Sequence, residues 1–553
     1  MSKKPSESSG SFLVQGSILA VASIVAKIIG MIYRVPLTNI LGDTGNSYYS
    51  TANEIYTIIL MVSTFSLPLA VSRMMSERIG RGEYRNANKV FLCAMRFAVL
   101  AGAVMALVTY ALAGVVCKYV MNFELAKFGL RVIAPAILIF AITGTFRGYF
   151  QGFGSMVPTA VSQVIEQIIN AIMSVVGAFL MFRYGRALVQ AGGDKMLAPA
   201  WGAAGATFGT VASVTIALLV VMGMYTIQRK SFSKQLAMDN SSRRESSAQI
   251  YKVLIATIVP IIFSALIYNI STVLDQGIFN AVLKGQGYTE EQYATIWGIY
   301  TGKFRVLMNV VLSLASSLGA AIVPSMTNAV SRKNKSEARR RTDMAIRYTM
   351  VFSIPCAFGL AALGQPITIM LFHPTSGLPL TGGIMQAGTF LIIVYALSTV
   401  STSILQGMGR LQDPVRHCTI ALIVHIVLCY VLLKQFRLNI YAVIYANVAF
   451  ALIICVLNAM AIRKYLGYHQ EIYKTFLIPV ISSVIMAFAA YGVQHILNMV
   501  LGVTLSTLIA IIIGAVLYGL CLVVFHGVTE EEICRLPKGG EIVKLFRKAG
   551  ILR

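Results

Sequence analysis

Long apolar segments alternate with short polar segments along the whole chain. Because about 20 apolar residues cross the hydrocarbon core of a bilayer as a helix, fourteen of these segments are long enough to be membrane spans. The predicted spans are residues 14–41, 48–72, 90–117, 128–150, 157–182, 200–227, 253–283, 293–324, 346–371, 384–407, 414–433, 438–462, 475–498 and 500–526. This pattern predicts an all-α integral membrane protein with fourteen transmembrane helices.

A repeated motif indicates that a six-helix unit occurs twice. Gln151-Gly-Phe-Gly154, followed by Pro158, recurs 255 residues later as Gln406-Gly-Met-Gly409, followed by Pro414. Each copy lies where one predicted span ends and the next begins, so we interpret the motif as a tight turn with close helix packing rather than as a phosphate cradle. Parallel repeats with a cavity between two bundles are typical of transporters.

The repeat predicts two lobes followed by an additional pair of helices. The expected organisation is an N-terminal lobe over 1–228, a cytoplasmic linker over 229–252, a C-terminal lobe over 253–463, helices 13 and 14 within 464–526, and a cytoplasmic tail over 527–553.

Basic residues concentrate in a few of the segments between spans. Residues 73–89, 229–252 and 332–347 hold 18 of the 46 lysines and arginines. Since cytoplasmic loops are enriched in basic residues, these segments are predicted to lie inside, and both termini with them.

Composition excludes several other classes of protein. With 57% hydrophobic residues, 12% charged residues and a mean hydropathy of +0.74, the chain is too apolar for a soluble fold. Its net charge of +25 follows from the basic loops, so no nucleic-acid partner is expected. The eight cysteines form no CxxC pair, which argues against a disulfide framework and a zinc site. No GxxxxGK[ST] motif, catalytic triad or metal motif occurs, so the chain is not expected to be an enzyme or to hold a cofactor.

The first span carries two cations where apolar residues are expected. Each charge near the middle of a bilayer helix costs about 2.5 to 3.5 kcal/mol. Lys27 and Arg34 are seven residues apart and therefore share a helix face, on which Ser23 and Gly30 complete a polar, small-residue stripe. Pro36 lacks an amide hydrogen, so the helix is expected to kink beside Arg34. We interpret this face as an anion site inside a membrane cavity.

Six of the other charged residues inside predicted spans are further candidates for the cavity. They are Glu54, Arg147, Glu166, Asp275, Lys303 and Arg305. Lys303 and Arg305 are about 200° apart on a helix, so only one faces a cavity, and Lys303 is the expected one. Arg305 could then pair with Asp275. Arg147 either faces the cavity or reaches the cytoplasmic headgroups, and Glu54 and Glu166 are either counter-ions or proton carriers.

The first span also carries a family resemblance. Ala26-Lys-Ile-Ile-Gly30-Met-Ile-Tyr-Arg34-Val-Pro36-Leu, with Leu41-Gly42, Gly45 and Tyr48-Tyr49, resembles the start of MurJ-type lipid II flippases and their sporulation stage V relatives. These belong to the multidrug/oligosaccharidyl-lipid/polysaccharide exporter superfamily. Proteobacterial members tend to have arginines at these positions and an acidic residue after the second one, whereas this chain has Lys27, Lys303 and Val35.

The resemblance implies a flippase of the bacterial plasma membrane that works by alternating access in peptidoglycan biosynthesis. Its expected partners are membrane lipids and an undecaprenyl-linked anionic lipid such as lipid II, and it is expected to be a monomer. The candidate substrate-binding residues are Lys27, Arg34, Arg147, Lys303 and Arg305. Coupling to the membrane potential or to a monovalent ion is expected to drive transport. Two alternatives stay open: a flippase for another polysaccharide-lipid, of the capsule, O-antigen or spore cortex type, and a cation-coupled multidrug antiporter.

Overall fold

Helices form almost all of the structure, a computed structural model that describes residues 6–63, 66–237, 239, 244–373 and 377–528. The α-helices are α1 (Ser6–Ile32), α2 (Arg34–Ser63), α3 (Leu67–Gly80), α4 (Tyr84–Val115), α5 (Lys127–Ile133), α6 (Pro135–Gly152), α7 (Val157–Gln190), α8 (Leu197–Ala237), α9 (Ser247–Gly285), α10 (Glu290–Ile299), α11 (Arg305–Ser331), α12 (Lys335–Phe372), α13 (Leu378–Gly407), α14 (Gln412–Lys434), α15 (Ile440–Leu466) and α16 (Ile478–Val524). No strand occurs in these ranges, which confirms the predicted all-α class. Most of the predicted tail, from residue 529, and part of the predicted linker lie outside the described residues.

The protein is a multi-pass membrane protein. Within the described ranges, eleven helical segments are long and apolar enough to cross a bilayer. Some of these contain a break: α2 departs from helical geometry at Gly42 (φ 64°, ψ −178°) and α16 at Gly502 (φ 71°, ψ 168°). Both conformations suit glycine because it has no Cβ. The count of fourteen spans stays a prediction.

The first predicted span is interrupted beside its arginine. α1 ends at Ile32 and α2 begins at Arg34, with Tyr33 as the turn between them. Helical hydrogen bonds nevertheless run through this point, from the Tyr33 amide to the Ile29 carbonyl over 3.3 Å and from the Leu37 amide to the Tyr33 carbonyl over 3.1 Å. The interruption lies where Pro36 lacks the amide hydrogen that would donate to the Ile32 carbonyl.

The chain forms two compact units, residues 1–302 and 303–553. The core of the first unit contains Leu67, Phe91, Phe150 and Ile250, which come from α3, α4, α6 and α9. The core of the second contains residues of α11, α12, α13 and α15. The boundary between the two units lies at residue 302, after α10, because α9 and α10 pack on α2 of the first unit. The predicted lobes follow the repeat instead, and their boundaries stay a prediction.

Small residues allow α7 and α8 to approach each other closely. A Cβ on Gly177 or Gly205 would collide with the backbone of the other glycine, and a Cβ on Gly209 would collide with Ser174. Such small-residue contacts are a common way for membrane helices to associate, since lipid provides little hydrophobic drive. This close pair forms one wall of the cavity described below.

Candidate functional site

A polar cavity of about 320 Å³ lies inside the first unit, between α1, α2, α6, α7 and α8. Its walls are Gly30, Tyr33, Arg34, Tyr49, Asn53, Tyr56, Leu60, Phe140, Glu166, Gln167, Asn170, Thr210, Ser213 and Val214. Most of these side chains carry a polar group. Because polar groups inside a membrane helix bundle are costly without a partner, a cavity of this composition suits water or a polar ligand.

Arg34 contributes a positive charge to the wall of this cavity. Its side chain is half-buried, and the guanidinium carbon lies 4.9 Å from the centre of the Tyr49 ring and 5.9 Å from that of Tyr33. Cations at such distances are attracted to the aromatic face. The two rings therefore hold the guanidinium beside the cavity, where its planar donors can meet an anion.

A hydrogen-bonded network holds the tyrosines in place. The hydroxyl groups of Tyr33 and Tyr49 lie 3.5 Å apart, and the amide of Asn170 donates to the Tyr33 hydroxyl over 3.1 Å. Ser174 and Thr210 in turn donate to the Asn170 side-chain oxygen over 3.1 and 3.4 Å. Three helices are joined in this way, so the position of the rings beneath Arg34 does not depend on a ligand.

Arg147 and Glu166 form a buried ion pair at the edge of the cavity. Arg147 is 5% exposed, and its Nη2 donates to Glu166 Oε2 over 2.7 Å while its Nε donates to Ser162 Oγ over 2.9 Å. Arg147 is therefore held in a buried ion pair and is not among the residues that line the cavity. Glu166 is its counter-ion and also lines the cavity, so the charge of Arg147 is already compensated by a carboxylate of the protein. A role for Arg147 in binding substrate stays a prediction.

Lys27 and Glu54 lie outside the wall of this cavity. The small residues on either side of Lys27 face α7: Ser23 donates to Gln163 over 3.4 Å, and a Cβ on Gly30 would lie 3.3 Å from Gln167 Oε1. The Lys27 side chain is exposed and Glu54 is half-buried. Of the two cations on the predicted face, Arg34 lines the cavity and Lys27 does not. A substrate role for Lys27 and an ionic role for Glu54 stay predictions.

The remaining charged residues differ in burial. Lys303 is 3% exposed and Arg305 is half-buried, and the expectation that Lys303 is the one that faces a cavity stays a prediction. Lys303 belongs to a π-helical turn, Tyr300–Phe304, and such turns often mark functional sites in helices. Asp275 on α9 is buried. Its pairing with Arg305 and the substrate roles of Lys303 and Arg305 stay predictions.

Neutral polar residues of the cavity were absent from the sequence-based candidates. Tyr33, Tyr49, Asn53 and Asn170 carry no charge, so a search for in-span charges passes over them. A usable signal was present, since Asn170 follows Glu166 by one helical turn and shares its face. No group of three or more His, Cys, Asp or Glu side chains suited to a metal occurs in the described part of the chain.

The chain matches known families over most of its length. A family model described as polysaccharide biosynthesis protein matches residues 13–330, and the MatE model matches residues 299–431. The lipid II flippase MurJ of Bacillus subtilis (strain 168) is 24% identical over 502 residues, which cover 88% of this chain and 89% of that protein. The stage V sporulation protein B of the same organism is 22% identical over 550 residues, covering 96% of this chain and 99% of that protein.

Solved structures agree on the fold. The lipid II flippase MurJ in its inward closed conformation matches with a TM-score of 0.66 and 16% identity, over 92% of this chain and 98% of that one. The fold is thus that of the multidrug/oligosaccharidyl-lipid/polysaccharide exporter superfamily, which confirms the resemblance found at the first span. MurJ is named as a lipid II flippase in both comparisons, not as an enzyme.

Proposed function

Because the chain belongs to the polysaccharide biosynthesis protein family, we propose that it is a flippase for a lipid-linked cell-wall precursor. The substrate is the undecaprenyl-diphosphate-linked lipid II, which the protein moves from the inner to the outer leaflet of the bacterial plasma membrane for peptidoglycan synthesis. The observation that carries this proposal is Arg34, a cation held beside a polar cavity within a membrane helix bundle. The MurJ relative, matched over 89% of its length, supports the same substrate class.

The chemistry of the cavity suits a diphosphate. A diphosphate loses its hydration on entering a membrane protein, and a cation in a low-dielectric site compensates that loss better than one in bulk water. An arginine fork offers two parallel donors to phosphate oxygens, and charge-assisted hydrogen bonds are stronger than neutral ones. The tyrosine and amide groups of Tyr33, Asn53 and Asn170 can then hydrogen-bond to neighbouring polar groups of the substrate.

Transport proceeds by alternating access, with both termini of the chain in the cytoplasm. The part of the first unit predicted to face outward is closed by contacts of α2 with α9 and α10. Thr44 lies 3.2 Å from Thr295, Tyr48 donates to Glu290 over 2.8 Å, and Gln276 donates to Thr51 over 2.6 Å. These contacts have to separate for the cavity to open outward. An inside-negative membrane potential favours outward movement of an anion, by about 2.3 kcal/mol per charge per 100 mV, and a monovalent ion is the other candidate energy source.

A complementation experiment tests the proposed substrate. The native lipid II flippase of a bacterial host is depleted while this chain or its Arg34→Ala variant is expressed at equal membrane abundance. We expect this chain to restore growth and the variant to fail. Lysis of cells that contain the wild-type chain at normal abundance would contradict the proposal.

A second candidate function rests on the sporulation relative. The stage V sporulation protein B matches 96% of this chain, so a precursor used at sporulation is the alternative substrate. The two candidates share the lipid diphosphate chemistry and differ in the glycan. A multidrug antiporter is less well supported, because among the described residues the cavity wall combines Arg34 with a single carboxylate, that of Glu166, which already pairs with Arg147.

A further inference from the structure

The turns that join α3 to α4 and α11 to α12 have a similar backbone and a different net charge, which is zero in the first and +2 in the second. In the first copy α3 and α4 are joined by Arg81-Gly-Glu83, and in the second α11 and α12 are joined by Arg332-Lys-Asn334. The middle residue has a positive φ in both, 77° for Gly82 and 54° for Lys333. The following amide bonds back to the helix in both, Glu83 to Arg78 over 2.9 Å and Asn334 to Ala329 over 3.0 Å.

The turn at the repeated QGxG motif is equally well matched. Gly154 and Gly409 have φ of 79° and 76°. The next amide, that of Ser155 or of Arg410, bonds to the carbonyl of the residue five positions earlier over 3.0 Å in each copy. Within each of these two turns, the positions of the second copy therefore match those of the first, and the side chains at the matched turn positions can be compared.

The second copy carries three cations at positions that are not basic in the first. Lys333, Lys335 and Arg410 stand where the first copy has Gly82, Tyr84 and Ser155, and Asn334 stands where the first copy has the acidic Glu83. The three cations line one pocket of about 320 Å³, which also includes Tyr465 and Leu466 and has no acidic lining residue. Among the described residues, no carboxylate forms an ion pair with any of the three.

Membrane topology alone does not explain the geometry of this basic pocket, which is formed by Lys333, Lys335, Arg410 and Tyr465. The enrichment of cytoplasmic loops in basic residues explains why cations occur in these loops, but it does not explain their exact positions. Lys333 occupies the left-handed region, which a glycine adopts more easily, and the first copy has glycine there. The Arg410 guanidinium carbon lies 4.2 Å from the centre of the Tyr465 ring, so its orientation is held by an aromatic face.

We propose that the basic pocket binds a phosphate-bearing anion at the membrane end predicted to face the cytoplasm. Three convergent cations without an acid form a site for a phosphate group, and basic pockets at the cytoplasmic ends of membrane helices commonly take anionic headgroups. The anion is either the headgroup of an anionic phospholipid or a soluble phosphate. The pocket is lined by residues of the second unit alone and shares none of them with the Arg34 cavity, so this proposal does not depend on the proposed transport function.

Native mass spectrometry of the purified full-length protein tests the proposal. Phosphatidylglycerol, phosphatidylcholine and inorganic phosphate are titrated separately against the wild-type protein and the triple variant Lys333→Gly, Lys335→Tyr and Arg410→Ser. This variant installs residues that the first copy already carries in the same turns, so folding is expected to be normal and is checked by the thermal unfolding midpoint. The matched control, Arg73→Ser, Arg85→Ser and Arg244→Ser, removes three exposed cations from other predicted inner segments.

We expect the triple variant to bind the anion roughly a hundredfold more weakly than wild type, while the control binds normally. Loss of phosphatidylglycerol binding alone identifies a lipid headgroup as the ligand, and loss of inorganic phosphate binding identifies a soluble phosphate. Equal binding of phosphatidylglycerol and of phosphate by wild type, variant and control would overturn the proposal. The three cations would then serve only to set the membrane topology. A variant that loses binding and also unfolds is replaced by Arg410→Ser alone, which is expected to weaken binding about fivefold.

Discussion

Arg34 is the residue on which the proposed transport function depends most. Replacing it with alanine removes the cation from the cavity but leaves the tyrosine and amide network of Tyr33, Tyr49 and Asn170 intact. We expect Arg34→Ala to abolish complementation at normal membrane abundance, and Arg34→Lys to be partly active because it keeps the charge without the planar fork. The control is Arg96→Ala, which changes an exposed arginine on α4 and should complement normally. Full complementation by Arg34→Ala would remove Arg34 from the site.

Substitutions in the buried ion pair of Arg147 and Glu166 test the stability of the fold rather than transport. Breaking a buried ion pair leaves an uncompensated charge, so Arg147→Ala should lower the free energy of unfolding by about 3 to 5 kcal/mol. Arg81→Ala breaks the exposed pair with Glu77 and should cost less than about 1 kcal/mol. The double change Arg147→Met and Glu166→Leu removes both charges and should recover much of the loss. Unfolding followed in detergent gives these values, and equal costs for Arg147→Ala and Arg81→Ala would contradict the buried pair.

Lys303 and Arg305 form a natural comparison because they are two positions apart on one helical segment. Lys303 is nearly inaccessible and Arg305 is half-buried. We therefore expect Lys303→Ala to reduce complementation more severely than Arg305→Ala, at similar membrane abundance of the two variants. The immunoblot of the membrane fraction serves as the control for abundance. Equal tolerance of both changes would exclude this segment from substrate binding.

At the scale of helices, the close contact of α7 and α8 is the most specific feature of the first unit. A side chain on Gly205 would collide with the Gly177 carbonyl, whereas Gly223, on the same helix, has open space around its Cα. Gly205→Val should therefore separate the helices and deplete folded protein from the membrane, while Gly223→Val should leave abundance unchanged. Membrane abundance and monodispersity on gel filtration measure the difference. A folded, monodisperse Gly205→Val protein would show that the close approach is not required.

At the scale of the whole molecule, alternating access predicts that the outward-facing contact of the first unit opens during transport. Thr44→Cys and Thr295→Cys together place two thiols where the hydroxyls are 3.2 Å apart. An oxidised pair should stop complementation, and reductant should restore it, because the disulfide prevents α2 from separating from α10. Each single cysteine variant is the control and should remain active under oxidation. Full activity of the cross-linked protein, with the cross-link verified by mass spectrometry, would contradict the mechanism.

Several features of the molecule follow from the sequence alone. Without water in the hydrocarbon core, a spanning segment has to satisfy its own backbone hydrogen bonds, so long apolar runs become helices wherever they occur in the chain. The same physics makes in-span charges such as Arg34, Glu166 and Lys303 stand out as costly exceptions. The break before Pro36 is also local, because proline lacks an amide hydrogen. The paired QGxG turns kept the same backbone because glycine is needed at Gly154 and Gly409 in both copies.

Tertiary structure decided which of these charges share a site. Lys27 and Arg34 are on one face of an ideal helix, yet only Arg34 lines the cavity that the neighbouring helices enclose, while Lys27 is exposed. Arg147 was ambiguous in sequence because its partner, Glu166, belongs to the next helix, and only their packing brings the two side chains within 2.7 Å. For the same reason, the sequence did not predict that the neutral side chains of Tyr49 and Asn170 line the cavity. Local sequence sets the length and polarity of each helix, whereas the pairing of side chains depends on helix rotation and approach, which small residues such as Gly205 determine by how close two backbones can come.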